Sequence, residues 1–463
     1  MKRRELLQKL AYTVPVGMIF PSYLNSCALN DPPLKPAYEG KVIIIGAGIA
    51  GLHAAQLIKS QNINVEILEA TDLFGGRIKV NSALFDFPLE QGADFIYGNA
   101  NPWHTAIEAT GVSLVEVPVN PVYVLDGIPK FASELGSDFD FQSAQSFINN
   151  LIHYIGPDLT LENATVSAQI APRVRHVVEG EVATAKGATY ENISVKGIAD
   201  NLNQNNDGAG RFFSQNQALV NILGGLYSKS LPLIKYNTPI TSIDYTSLNT
   251  IVLTDASGHT HECTRVIITV PLAVLKSKSI SFSPSLPISI TSAWNRIGMS
   301  GGIKVVLSFY VNFWNQQATS IYTQGYAREY YAAGYGRSNS NRILTATIMD
   351  SQADALAGKT DAEIIALLLA DLDAIYSGQA SQQFDVESSY VFDWSKQEFI
   401  QGAMSYPMVS GTGASQLMAN PIDERIFWAG EATALNGNCG TVQGAVESAD
   451  RVVTELLDVI LDI

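Results

Sequence analysis

Apolar positions along this chain follow two periods. Lys41–Ile45 (KVIII) is a continuous apolar run closed by glycine, and Val65–Leu68 is a second run that ends at Glu69. The unbroken first run, and the second with Glu66 as its one polar residue, predict strands of a parallel sheet. Residues 301–309, GGIKVVLSF, predict another buried strand, with one cation, Lys304, near its start. Elsewhere the period is helical. In SAQSFINNLIHYI (143–155), Phe147, Ile148, Leu151, Ile152 and Ile155 share one face. In TDAEIIALLLADLDAIYSG (360–378), Thr360 and Glu363 form a capping-box pattern and Gly378 is a stop. Arg425–Ala429 is a short strand ending at Gly430. From Thr441 onward Val442, Ala445, Val446, Ala449, Val452 and Val453 recur at helical spacing. The chain therefore reads as α/β.

The turn after the first strand carries the strongest chemistry. Gly46, Gly48 and Gly51 make G-x-G-x-x-G between a strand and a helix. The first glycine permits the tight turn, the second lets backbone approach a pyrophosphate, and the third lets helix pack on strand. The helix N-terminus offers N–H groups to phosphate. Glu69, 18 residues after Gly51, suits the two hydroxyls of an adenosine ribose and would repel a 2′-phosphate. NAD or FAD would both fit. The next loop, DLFGGRIKV, favours FAD: Gly75 and Gly76 allow a second close approach, and Arg77 can fork onto phosphate.

Composition narrows the class further. The 463 residues are 46% hydrophobic and 16% charged, as in a globular chain, and the net charge of -15 excludes a basic nucleic-acid footprint. Three cysteines and six histidines form no disulfide framework, metal pattern or triad. The N-terminus, MKRRELLQKL, resembles a twin-arginine export signal in Arg3 and Arg4 followed by Glu5, Leu6 and Leu7. The apolar segment after it is broken by Pro15 and Pro21, a poor membrane span. LNSC (24–27) resembles a bacterial lipobox with Cys27 as the lipidated residue. The expectation is a signal peptide over 1–26, a proline-rich tether over 27–37, and a protein lipid-anchored on the periplasmic side of the cell envelope.

Taken in order, further motifs resemble those of the flavin-containing amine oxidase family, which includes monoamine and polyamine oxidases, L-amino-acid oxidases and histone lysine demethylases. After GGR come EQGADFIYGNANPW (90–103), NTPITSIDY (237–245), RVIITVPLAVLKSKSISFSPSLP (265–287), GGIKVVLSF and RIFWAGEATALNGNCGTVQGAVESADRVV (425–453). The resemblance implies a Rossmann-like FAD-binding domain of GR2 type from 38–101, 206–284 and 401–463. A discontinuous α+β substrate-binding domain would come from 102–205 and 285–400. It places Gly92 and Ala93 against the flavin, Ile240 at the adenine, Glu431 on a ribityl hydroxyl, and Thr441–Val442 at the pyrimidine edge, where helix N–H groups favour the charge of the reduced ring.

Lys304 would be the family's lysine, held through a water at flavin N5, where hydride arrives from the carbon beside the amine nitrogen. Trp394 and Tyr406 match family aromatics near the flavin. Two departures stand out: Met404 and Thr441 occupy the positions of the aromatic pair that sandwiches the amine. Ala403 stands where some members carry the cysteine that attaches FAD, so noncovalent FAD is expected. Tyr322 and Tyr326, in a tyrosine-rich stretch with Tyr330, Tyr331 and Tyr335, are candidates to line the substrate path. The implied activity is oxidation of a small amine or amino acid to an imine, then hydrolysis, with oxygen reduced to hydrogen peroxide. The missing aromatic pair leaves open a flavin-dependent C–C desaturase of an apolar substrate, of the phytoene-desaturase or protoporphyrinogen-oxidase kind. A flavoprotein that binds at the envelope without turnover is the third reading.

Overall fold

The computed structural model describes residues 38–81, 85, 87–338 and 341–461. The export signal, Cys27 and the tether lie outside the described residues. Five parallel strands form one sheet in the order Ile234–Lys235, Asn64–Leu68, Lys41–Ile45, Arg265–Ile268, Ile426–Trp428. The interior residues of Lys41–Ile45 are buried, as its unbroken apolar run requires. One face is covered by the helices Ile49–Ser60 and Val442–Ile460, which pack on each other through a core including Leu52, Ala55, Val446, Ala449 and Val453. The other face packs on a four-stranded sheet that contains Ile240–Asp244 and Ile251–Asp255.

A seven-stranded sheet forms the second layer system, in the order Phe384–Asp393, Gly302–Phe309, Ile343–Met349, Glu329–Ala332, Ser320–Tyr322, Pro121–Leu125, Ile128–Phe131. All eight residues of Gly302–Phe309 are buried: antiparallel neighbours flank both edges, Ile303, Val305, Leu307 and Phe309 pack into one core and Val306 into another. The helix Asp361–Tyr376 covers this sheet with Ile364, Leu368 and Leu372. Its capping box is present: Thr360 Oγ1 accepts from Glu363 N, and Glu363 Oε2 accepts from Thr360 N. The fold is thus a Rossmann-like α/β unit joined to a mixed α+β layer.

Several local expectations change. The helix expected over 143–155 runs instead over Phe139–Asn150, capped by Asp138, and ends in a single tight turn, Leu151–His153. The chain then bends toward Pro157, whose carbonyl accepts from the Tyr154 hydroxyl. Ile155 falls past this bend and is 99% exposed, so it does not belong to the apolar face. Trp103 and Ile107, and farther along Ile290, Ala293 and Trp294, fall in the substrate half by sequence, but pack into the cores on either side of the parallel sheet. Among the described residues no helix is long and apolar enough to cross a membrane.

Candidate active site

The glycine turn is built as its spacing requires. Gly46 takes φ +106°, a left-handed conformation that a side chain would strain, and donates its N–H to Leu68 O at 2.8 Å. A Cβ on Gly51 would overlap the Gly46 carbonyl oxygen, so only glycine lets the helix sit this close. Gly48 differs: a Cβ there would meet nothing within 4 Å. The helix that starts beside it has no side-chain cap and no acidic residue in its first turn. Its positive dipole end therefore faces open space. Gly75 closes on this turn, donating to Ala47 O at 2.9 Å, and Gly76 abuts Gly48. Glu69 is fixed at the strand end by Ala47 N at 2.7 Å, Thr71 N at 3.0 Å and Thr71 Oγ1 at 2.9 Å. Ile240 is buried in the core beside Leu68. Backbone donors over an open cradle, with an acid at the second strand end, fit a dinucleotide.

Arg77 and Glu431, expected to face the cofactor, are joined to each other. Arg77 Nη1 donates to Glu431 Oε1 at 2.8 Å and to Ala403 O at 2.7 Å. Glu431 Oε2 accepts from Gly440 N at 2.8 Å and from the Ser405 hydroxyl. The carboxylate expected to take a ribityl hydroxyl therefore has both oxygens engaged. It is buried, and a buried charge needs such partners. Thr441 is likewise committed: its hydroxyl donates to Asn438 O and accepts from Gly444 N, capping Val442–Ile460. Met404 fits between Gly187 and Gly440, where a Cβ on either glycine would press on its side chain. Gly430, at φ +120°, admits the sharp exit from strand Ile426–Trp428.

Gly92 sits in a slot. A Cβ there would overlap the Arg77 carbonyl and come within 3.0 Å of Trp394 Cζ2. Ala93 N donates to Arg77 O at 3.3 Å, and Trp394 Nε1 donates to Gln91 O at 2.9 Å. Trp394 thus braces the Gln91–Ala93 segment. Tyr406 lies flat on Gly298 within the helical core that also holds Tyr123 and Tyr322. It is buried there as packing, its hydroxyl 3.3 Å from Ser300 Oγ. Tyr322 stacks on Tyr123 and its hydroxyl reaches Glu329 Oε1 at 3.4 Å. Tyr326 sits in an exposed turn, 44% accessible, and its N–H donates to Asp371. The tyrosine-rich stretch is therefore divided between core and surface.

Lys304 is only 7% exposed, which removes the solvated strand-start reading. Nζ donates to Glu90 O at 3.1 Å, to Gly92 O at 2.6 Å and to Asp94 Oδ2. An ammonium has three donors, and all three are taken. A water at the cofactor could be held only by releasing one of them. Asp94 Oδ2 also accepts from the Tyr331 hydroxyl. Nearby, burial pushes Glu90 up to about 8; its Oε1 accepts from Leu219 N, while its Oε2 is buried without a partner.

Sequence reasoning missed Asp94, Tyr97, Arg211 and Glu329, and noted Tyr331 only as one of the tyrosine cluster. Tyr97 is 43% accessible, yet its hydroxyl is desolvated deeply enough to be pushed up to about 12, with Arg211, Glu329 and Asp94 as its charged neighbours. Arg211 pairs with Tyr97 in strand register, lies 4.9 Å over the Phe95 ring and 3.8 Å from Glu329, and its Nε has no partner. Nothing in the sequence links Asp94 and Tyr97 to Arg211.

Fold and cradle define a protein of the Rossmann-like dinucleotide-binding class. The sequence model described as flavin containing amine oxidoreductase matches residues 178–457, and that of an NAD(P)-binding Rossmann-like domain matches 44–107. The chain belongs to the flavin-containing amine oxidoreductase family, and its cofactor is FAD. It is 23% identical over 484 residues to lysine-specific histone demethylase 1B of Mus musculus, covering 98% of this chain and 57% of that one. The chain spans little more than half the length of the curated relatives it matches. Cyclohexylamine oxidase from Brevibacterium oxydans IH-35A has the same fold, with TM-score 0.75, 20% identity, and coverage of 90% of this chain and 99% of that one. Putrescine oxidase bound to putrescine is similar at TM-score 0.74 and 19% identity, over 90% and 99% of the two chains.

Proposed function

We propose that this enzyme oxidises a small primary amine or amino acid at the carbon bearing nitrogen. The balance is R₂CH–NH₂ + O₂ → R₂C=NH + H₂O₂, and water then hydrolyses the imine to a carbonyl and ammonia. Bound FAD would accept the hydride from carbon and pass both electrons to oxygen. The observation that carries the reading is a fixed, buried cation, Lys304, tied through the Gly92 carbonyl to the segment beside the cradle. Acting by its charge, it would stabilise negative charge on oxygen as it is reduced. Gly46–Gly51, Gly75, Gly76 and Glu69 would hold the dinucleotide. Ala403 offers no nucleophile, which supports noncovalent FAD. Tyr97, Arg211 and Glu329 would receive the far end of the substrate, and a charged lining favours a polar amine over an apolar desaturase substrate. The amine must be neutral to lose hydride, so the optimum should follow substrate deprotonation.

Anaerobic mixing with a panel of amines and amino acids should bleach the flavin, and air should then restore it with peroxide. Bleaching by unsaturated apolar compounds alone would overturn the amine reading. We also propose export and anchoring through Cys27. Cys27→Ser should move the protein from membrane to soluble fraction; the same distribution for both forms would remove the lipoprotein reading.

A further inference from the structure

The Lys304 ammonium is not held by backbone alone. Its third partner is Asp94, a carboxylate buried on the same segment as Gly92. Asp94 Oδ2 is shared with the Tyr331 hydroxyl, which burial and the nearby carboxylate hold well above the ordinary tyrosine range, so that it stays a donor. The pair is enclosed on every side. Glu90 faces it from the strand before Gly92, and Tyr331 from Glu329–Ala332. Tyr390 faces it from Phe384–Asp393, Tyr97 from Ile96–Tyr97, and Arg337 from the loop after Ala332. Arg337 is already spoken for by the carbonyls of Pro88 and Ala333 and by the rings of Phe87 and Phe213. Among the described residues Asp94 is the one carboxylate bonded to Lys304.

We infer that Asp94, braced by Tyr331, is the positioning residue for Lys304: it fixes the ammonium against the Glu90 and Gly92 carbonyls and offsets its charge. Removing one partner of such a pair leaves the other buried without a counter-charge. In Asp94→Asn the ammonium loses its strongest tether and is free to leave the carbonyls. The inference rests on the reading of Lys304 as an active-site cation.

The experiment compares Asp94→Asn, Asp94→Glu, Lys304→Met and the double variant Asp94→Asn/Lys304→Met, as holoenzymes, by stopped flow and by the flavin midpoint potential. Asp94→Asn should slow the half-reaction that Lys304→Met slows, by about 10²-fold as for a displaced reacting group. FAD content and the other half-reaction should stay within about twofold. The double variant should be no slower than Lys304→Met, because the two residues act as one unit. Asp94→Glu should recover most of the rate. Loss of a negative charge should raise the midpoint potential in Asp94→Asn, and loss of the cation should lower it in Lys304→Met. Additive losses in the double variant, or equal slowing of both half-reactions, would mean a merely structural carboxylate and overturn the inference. Should Asp94→Asn not fold, Tyr331→Phe must give a smaller loss confined to the same half-reaction; wild-type rates there also overturn it. Should Lys304→Met run at wild-type rates, the catalytic reading of Lys304 fails, and the positioning claim is then judged on the potential: an unmoved value in Asp94→Asn overturns it as well.

Discussion

The cradle and the surroundings of Lys304 are made of different material. Around Gly46–Gly51 and Gly75–Gly76 the contacts are largely backbone to backbone; the side chains that join them are Glu69, fixed by Ala47 N and Thr71, and Thr269, whose hydroxyl donates to the Ile45 and Gly46 carbonyls. Around Lys304 two backbone carbonyls, of Glu90 and Gly92, are joined by polar and charged side chains: Asp94, Tyr331 and, farther on, Tyr97, Arg211 and Glu329. A backbone site tolerates exchange of most side chains but no added atom where chain meets chain. A side-chain site tolerates changes of shape better than a change of charge, because each buried ion depends on a particular partner.

The sharpest break of this contrast is Gly92, where the two regions meet. Gly92→Ala would drive a methyl into the Arg77 carbonyl and toward Trp394. Backbone overpacking of this kind should cost about 3 kcal/mol or more. It should appear as protein depleted of flavin with a lowered melting temperature, and normal flavin content would show that the slot opens easily. Next comes Lys304→Met, a change of charge with little change of length. FAD should remain bound, while oxygen-dependent reoxidation slows about 10²–10³-fold, or roughly 3–4 kcal/mol. Stopped-flow reoxidation decides this.

A smaller effect tests burial alone. Glu90 is pushed up to about 8, chiefly by burial, from an ordinary 4.5. Its folded value lies above its unfolded one, so its contribution is fully present below about pH 4.5 and is lost as pH rises through about 8. Glu90→Gln should therefore gain stability relative to wild type as pH rises from 5 to 9. Melting temperatures across that range measure it; a constant difference would mean that Glu90 does not titrate there. The smallest effect is expected at Gly48. Gly48→Ala meets nothing, so stability should change by less than about 1 kcal/mol. FAD affinity, read by flavin titration of the apoprotein, should nevertheless fall. Unchanged affinity would mean that no phosphate lies over Gly48.

The same contrast explains what could be read from the sequence. Strand, glycines, helix and Glu69 fall within one short stretch, where spacing alone reports geometry, and the Rossmann-like half was legible for that reason. The strand over 302–309 was legible too, but the surroundings of Lys304 were not. Its partners Glu90, Gly92 and Asp94 lie more than two hundred residues away and arrive only through the tertiary fold. Arg77 and Glu431 were each noticed, yet aimed at a ligand rather than at each other, because pairing across the fold leaves no local trace. Ile155 went astray for a local reason: its apolar spacing continued past the residue where the helix ends.

The parallel sheet has a consequence for how the protein is made. Its edge strand Ile426–Trp428 pairs with Arg265–Ile268, which pairs with Lys41–Ile45. The helix Val442–Ile460, which seals the first core, comes later still. A ribosome must therefore deliver almost the whole chain before the first strand's sheet can close. Contacts between such distant segments make folding slow and leave apolar edges waiting. Nascent chains arrested before Arg425 should accordingly bind no flavin and should recruit chaperones, and FAD capture should be a late, post-translational event.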